Sequence, residues 1–217
     1  FAEGKDTQKL MEAMQNPLTN AEIGFFAPDN LQWFMVFEYE DSGYVKDDEK
    51  DDLDANAMLK SIQEGTKEGN KARRKRGWPE IHVEGWYQPP RYNEQTNNLE
   101  WATRLISEGE EIVNWNTRLL GRGGVMSVTL VVDPATLNNI KPQYAQSLRG
   151  YSFKSGQKYS EYREGDKLAK YGLSALVVGG ATAVAAKSGL LKHLWKLIVL
   201  GFAAVASFFK KLFGKSE

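Results

Sequence analysis

The stretch LVVGGATAVAAKSGLLKHLWKLIVLGFAAVASFFKKLFGK, residues 176–215, constrains this chain more than any other part of it. Residues 171–186 form a run of sixteen without a charge. Lys170 can snorkel, so Leu168 and Ala169 extend the run to about the ~20 residues that cross ~30 Å of hydrocarbon. A membrane helix is therefore expected over 168–187. Within it Ala175, Gly179 and Ala183 recur at four-residue spacing, the small-xxx-small pattern that lets helix backbones approach closely. These three are the candidate helix-packing residues. The competing reading, a buried helix of a water-soluble core, is disfavoured because a second apolar segment follows at once.

That second segment, 189–213, carries Lys192, Lys196, Lys210 and Lys211. At 100° per residue these lysines share one stripe with Ala203 and Ser207, while Leu191, Leu194, Trp195, Ile198, Val205, Phe209 and Leu212 take the other face. Its uncharged part, 197–209, is short for a crossing, which favours an amphipathic helix lying in the interface. A second membrane helix, closing a hairpin with lysines at its ends, stays open. Lys187, Lys192, Trp195, Lys196, Lys210 and Lys211 are the candidate membrane-surface residues. Lysines after the first crossing mark the cytoplasmic side, so the preceding body is expected outside the cytoplasm.

Charge supports the same division. The formal net charge is zero, yet residues 167–217 hold eight lysines and one acid, leaving 20 of the 28 basic and 27 of the 28 acidic groups in residues 1–166. A basic tail beside apolar runs suits a phospholipid surface, and an acidic body argues against nucleic acid. The absence of cysteine excludes disulfides, zinc thiolate sites and thiol nucleophiles.

The body reads as α+β. A short amphipathic helix starts near Asp6 with Leu10, Met11 and Met14 on one face. EIGFFAP and LQWFMVFEYE alternate as strands, and a helix runs from Asp52 to about Arg73, with Gly77 past its end. IHVEGWYQ, NNLEWATRLI, EIVNWNTRLL and GVMSVTLVVD are four antiparallel strands, with turns expected at Pro89 and Pro90, at Glu108 and Gly109, and at 121–124. A helix containing Pro142 follows, then a short strand YSF. The expected organisation is an antiparallel sheet with helices packed on one face over 1–153, a linker over 154–167, the membrane helix over 168–187 and the amphipathic or second membrane helix over 189–213.

GYVKDDEKDDLDANAMLKSIQEGT, EGWYQPPRYNEQTNNLEWA, NTRLLGRGGVMSVTLV and KYGLSALVVGGATAVAAKSGLL together resemble the bacterial DUF2167 family of membrane-anchored proteins. The resemblance implies an envelope-facing domain behind a removed signal peptide, with a carboxy-terminal anchor in the inner membrane and the domain in the periplasm. It supplies no activity, substrate or catalytic residue.

Four motifs invite chemistry, and each has a plainer structural account. The acidic run of Asp47, Asp48, Glu49, Asp51, Asp52 and Asp54 lacks the spacing and central glycine of a calcium loop, and suits capping of the helix that follows. KARRKR, 71–76, sits at a helix carboxy terminus, where cations are favoured. GRGG, 121–124, lies between strands with no helix after it, so a hairpin is favoured over a phosphate nest. His82 and Glu84 share a strand face, but two ligands make no metal site. Trp78, Trp86, Tyr87, Tyr92, Trp101 and Trp115 are mostly core at strand spacing. No catalytic residue, cofactor or metal is therefore expected. The function expected is a non-catalytic, membrane-anchored envelope protein that self-assembles as a homo-oligomeric scaffold. The alternative is an accessory or sensor subunit of a membrane transporter or signalling complex, partnered by another membrane protein.

Overall fold

Strand alternation decides the architecture of the computed structural model, which describes residues 1–179. Seven strands form one antiparallel sheet: β1 (Ala2–Glu3), β2 (Glu22–Phe26), β3 (Trp33–Glu40), β4 (His82–Asn93), β5 (Asn98–Ser107), β6 (Glu110–Leu120) and β7 (Val125–Val132). Their spatial order is β1-β2-β3-β7-β6-β5-β4. Strands β4 to β7 make a meander, and β7 closes against β3 over eight residue pairs, from Trp33 opposite Val132 to Glu40 opposite Val125.

Helices cover both faces of this sheet, not one as expected. On the first face, α1 (Lys5–Ala13), α2 (Ala55–Lys75) and a short α4 (Leu173–Val178) meet Phe34, Val36, Leu99, Leu105 and Val131. On the second, α3 (Leu137–Arg149) places Leu137, Ile140 and Tyr144 on Trp33, Met35, Val113, Trp115, Val128 and Leu130. Neighbouring residues of β3 thus point into different cores. The apolar runs WFMVF and TLVV carry no solvent face, the mark of strands buried on both sides. Pro142 lies inside α3 without ending it.

Local chemistry fixes the ends of these elements. Asp54 caps α2, its carboxylate accepting from the backbone N–H groups of Asn56 and Ala57, both at 3.0 Å. Arg73, Arg74 and Lys75 close the helix where the dipole favours cations. Pro89 and Pro90 lie inside β4, not at a turn. β4 is an edge strand, where a missing N–H costs no ladder bond, and its register shifts between Gln88 and Arg91. The expected strand YSF does not form. Phe153 instead packs edge-on with Tyr151, centroids 5.4 Å apart, in the space that Gly121 leaves open by lacking a Cβ.

The segment expected as a linker, 154–167, is tied to the sheet along its length. Arg122 holds Asp166 by two hydrogen bonds of 2.6 and 2.7 Å, and Lys158 bridges to Gly121. The Tyr159 hydroxyl donates to the carbonyl of Val45 at 2.9 Å. The anchorage continues into the expected membrane helix. Leu168 pairs with Tyr44 in a parallel bridge, and the Ala169 N–H donates to the Tyr44 carbonyl at 2.9 Å. Helix α4 begins only at Leu173, and Gly179 follows it at φ 123. Leu173, Leu176 and Val177 are buried in the first core. Ala175 and Gly179 therefore do not share a helical stripe, because the helix ends before Gly179. Among the described residues no helix is long and apolar enough to cross a membrane. Ala183, Lys187, Lys192, Trp195, Lys196, Lys210, Lys211 and the whole 189–213 segment lie outside the described residues.

Candidate functional site

Polar residues interrupt the first core at the centre of the sheet. One row of paired residues runs across four strands: Glu22 of β2 lies opposite Glu38 of β3, Glu38 opposite Ser127 of β7, and Ser127 opposite Arg118 of β6. The neighbouring row places Trp101 opposite Asn116, and Asn116 opposite Thr129. With residues two apart facing the same side, Asn114, Asn116 and Arg118 occupy positions that Ile112 and Leu120 fill with hydrocarbon at the ends of β6.

Of these, Glu38, Ser127, Arg118, Trp101 and Asn116 floor a cavity of ≈ 230 Å³. Ile62 of α2 and Leu176 and Val177 of α4 form its apolar walls, and Thr19, Ala21, Tyr39, Glu40, Thr103 and Gly179 complete the lining. The guanidinium of Arg118 stacks on the indole of Trp101, 4.7 Å from the ring centroid. Its Nη1 is shut off from solvent and has no hydrogen-bond partner among the described residues. Burial pulls the Arg118 pKa down, and the attraction of Glu38 opposes this. Burial likewise raises the Glu38 carboxyl, against the pull of Arg118 and a 3.0 Å hydrogen bond from the Thr19 hydroxyl. The Thr19 N–H donates to Glu22 Oε1 at 2.5 Å, while Glu22 Oε2 is buried without a partner among the described residues. At the margin the Tyr171 hydroxyl donates to Glu40 Oε1 at 2.6 Å.

This arrangement can bind. The carboxylates of Glu38 and Glu40 and the guanidinium of Arg118 line one cavity without joining in an ion pair among the described residues. A buried charge left this way is costly, and a ligand that pairs it recovers the cost. Among the described residues no three His, Asp or Glu side chains converge as a metal site.

The motifs singled out in the sequence fall elsewhere. His82 and Glu84 are exposed on β4, His82 Nε2 standing 4.0 Å from Glu80. Glu49 of the acidic run accepts from the Ser174 N–H at 2.9 Å and so caps α4, and Asp47 accepts from the Tyr92 hydroxyl at 3.0 Å. In KARRKR, Arg73 is buried and bonds the carbonyls of Pro79 and Gln15, and Arg74 pairs with Glu80 at 2.7 Å. GRGG is a hairpin turn closed by the Gly121 N–H on the Gly124 carbonyl at 2.9 Å. Of the aromatic set, Trp101 alone lines the cavity. Sequence reasoning passed over Glu38, Asn116 and Arg118. The signal for them was present as polar residues at core-facing positions of strands that are otherwise apolar.

The family model described as protein of unknown function DUF2167 matches residues 1–209. No curated protein matches the chain. Among solved structures, the chain is similar to PA94, a protein of unknown function from Pseudomonas aeruginosa. Identity is 12%, the match covers 60% of this chain and 82% of that one, and the TM-score is 0.34, too low a likeness to carry an argument.

Proposed function

The chain belongs to the DUF2167 family, and from that premise we propose that it is a non-catalytic, membrane-anchored accessory or sensor subunit. Its folded domain holds a small ligand on the periplasmic side of a bacterial inner membrane. Lys187, Lys192, Trp195, Lys196, Lys210 and Lys211 then meet the phospholipid surface. One observation carries the reading: the wall of the polar cavity is α4, the element that leads directly into the apolar carboxy-terminal stretch. A ligand on the sheet touches Leu176, Val177 and Gly179, so occupancy bears on the residues that precede the apolar carboxy-terminal stretch.

Self-assembly as a homo-oligomeric scaffold is the second reading. It is favoured by Phe1, Ile23 and Phe26, apolar side chains 75%, 45% and 38% exposed on the β1–β2 edge of the sheet. The separating experiment is native mass spectrometry of full-length protein extracted gently from its membrane. A stoichiometric foreign chain, or a bound small molecule, supports the subunit reading. A homo-oligomer of defined size with neither would replace it by the scaffold.

A further inference from the structure

The charges around the cavity restrict what fits it. Two carboxylates, Glu38 and Glu40, stand on β3, and one guanidinium, Arg118, stands on β6. Glu38 and Arg118 are separated by Ser127 and so by two strand spacings, about 10 Å between backbones. A simple anion would pair Arg118 but meet the field of Glu38. A simple cation would pair Glu38 and leave Arg118 Nη1 buried and unpaired, as it is among the described residues. A molecule that carries both charges satisfies both ends. Size narrows it further: ≈ 230 Å³ is below the ~300–1,000 Å³ of pockets that take drug-sized ligands, so the ligand is a small molecule.

We propose that the cavity binds a small zwitterion of the α-amino acid type, its carboxylate on Arg118 and Ser127 and its ammonium on Glu38. This deepens the sensor reading and rests on it. The stacking of the guanidinium on Trp101 holds its plane while leaving its N–H edge free for a carboxylate. Asn116 stands beside it, with its Oδ1 engaged by the Thr129 hydroxyl at 3.1 Å and its Nδ2 donating to the Asn114 carbonyl at 3.1 Å. The apolar walls, Ile62, Leu176 and Val177, lie where a short aliphatic side chain would go.

The test uses full-length protein in nanodiscs, with titration calorimetry and Trp fluorescence as readouts. L-alanine, L-serine and L-valine are the probes, and propionate and propylamine are controls carrying one charge each. At least one amino acid is expected to bind at one site per chain. Each control, leaving one buried charge unpaired, should bind about 10- to 100-fold more weakly. Arg118→Gln and Glu38→Gln should each weaken amino-acid binding by a similar factor. Equal binding of propionate and the amino acids would overturn the zwitterion, as would equal binding of propylamine. Failure of all three amino acids would overturn it too, and because these comparisons use unmutated protein, a misfolded variant does not blunt them. The subunit reading stands or falls separately, on the copurifying mass.

Discussion

Leu173→Ala separates a helix that belongs to the folded domain from the start of a membrane span. Leu173 is 0% exposed and packs in the core formed by α1, α2 and one face of the sheet. The substitution removes three carbons, about 2.4 kcal/mol at ~0.8 kcal/mol per buried CH₂. The void it leaves raises the cost to about 3–4 kcal/mol, within the usual range for a buried Leu→Ala. In a domain of this size each kcal/mol moves the melting temperature by roughly 2–4 °C, so a fall of about 6–16 °C is expected. The assay is urea and thermal unfolding of the full-length protein in mild detergent, followed by Trp fluorescence. Leu168→Ala is the control. Leu168 is 44% exposed, and its removal should change stability by less than about 0.5 kcal/mol. A Leu173→Ala effect no larger than this control would refute the reasoning, because a residue held by lipid is not part of the water-phase unfolding transition.

Three further outcomes follow from the same geometry. Asn70→Ala should destabilise by about 2–4 kcal/mol in urea unfolding, because its side chain donates to the Ile81 carbonyl at 2.7 Å and accepts from the Ile81 N–H at 3.0 Å. Both backbone groups would be left buried and unpaired; a loss under about 1 kcal/mol would contradict this. Arg122 holds the Asp166 carboxyl down to about 2. A depressed carboxylate stabilises above its unfolded-state value and loses that contribution as pH falls towards about 2. The stability difference between the natural protein and Asp166→Asn should therefore shrink from pH 4 to pH 2, and a pH-independent difference would mean that the pair does no electrostatic work. Gly43→Ala should loosen the 154–169 strap, since Gly43 sits at φ +89 with the Lys167 carbonyl where a Cβ would lie. Faster tryptic cleavage after Lys158 or Arg163 would report this, and unchanged cleavage would show that the strap is held elsewhere.

Much of the fold was legible because its signals are local. The meander from β4 to β7 announces itself by period-2 alternation and glycine turns, and α2 by its apolar spacing and its basic end. The two-faced cover was also written in the continuous run WFMVF, but an alternating reading of Trp33, Met35 and Phe37 against Phe34 and Val36 allots one set to solvent unless a second layer is supplied. The start of α4 was not legible. Leu168 to Val178 has the composition of a membrane helix, and hydropathy does not distinguish burial against a sheet from burial in lipid. What fixes it is long-range: Tyr44 pairing with Leu168, Glu49 capping at Ser174, and Arg122 holding Asp166. The cavity was missed for a related reason. Glu38 and Arg118 are eighty residues apart in sequence, and only the β3–β7–β6 order brings them to one floor.

That floor makes the same sheet face serve two ends. Under α1 and α2 it is Phe34, Val36, Leu99 and Val131, and it needs nothing from outside to be stable. Beside α4 it is Glu38, Asn116 and Arg118, where each polar group carries a desolvation cost that hydrocarbon would avoid. Helix α4 has only six residues, too few to be stable without tertiary contacts, so its place depends on burying Leu173, Leu176 and Val177 and on the carboxylates of Glu49 and Glu40. The energy given up in the polar floor is therefore placed next to the element that leads into the carboxy-terminal stretch. An apolar floor would hold α4 more firmly and leave a ligand nothing to pair with.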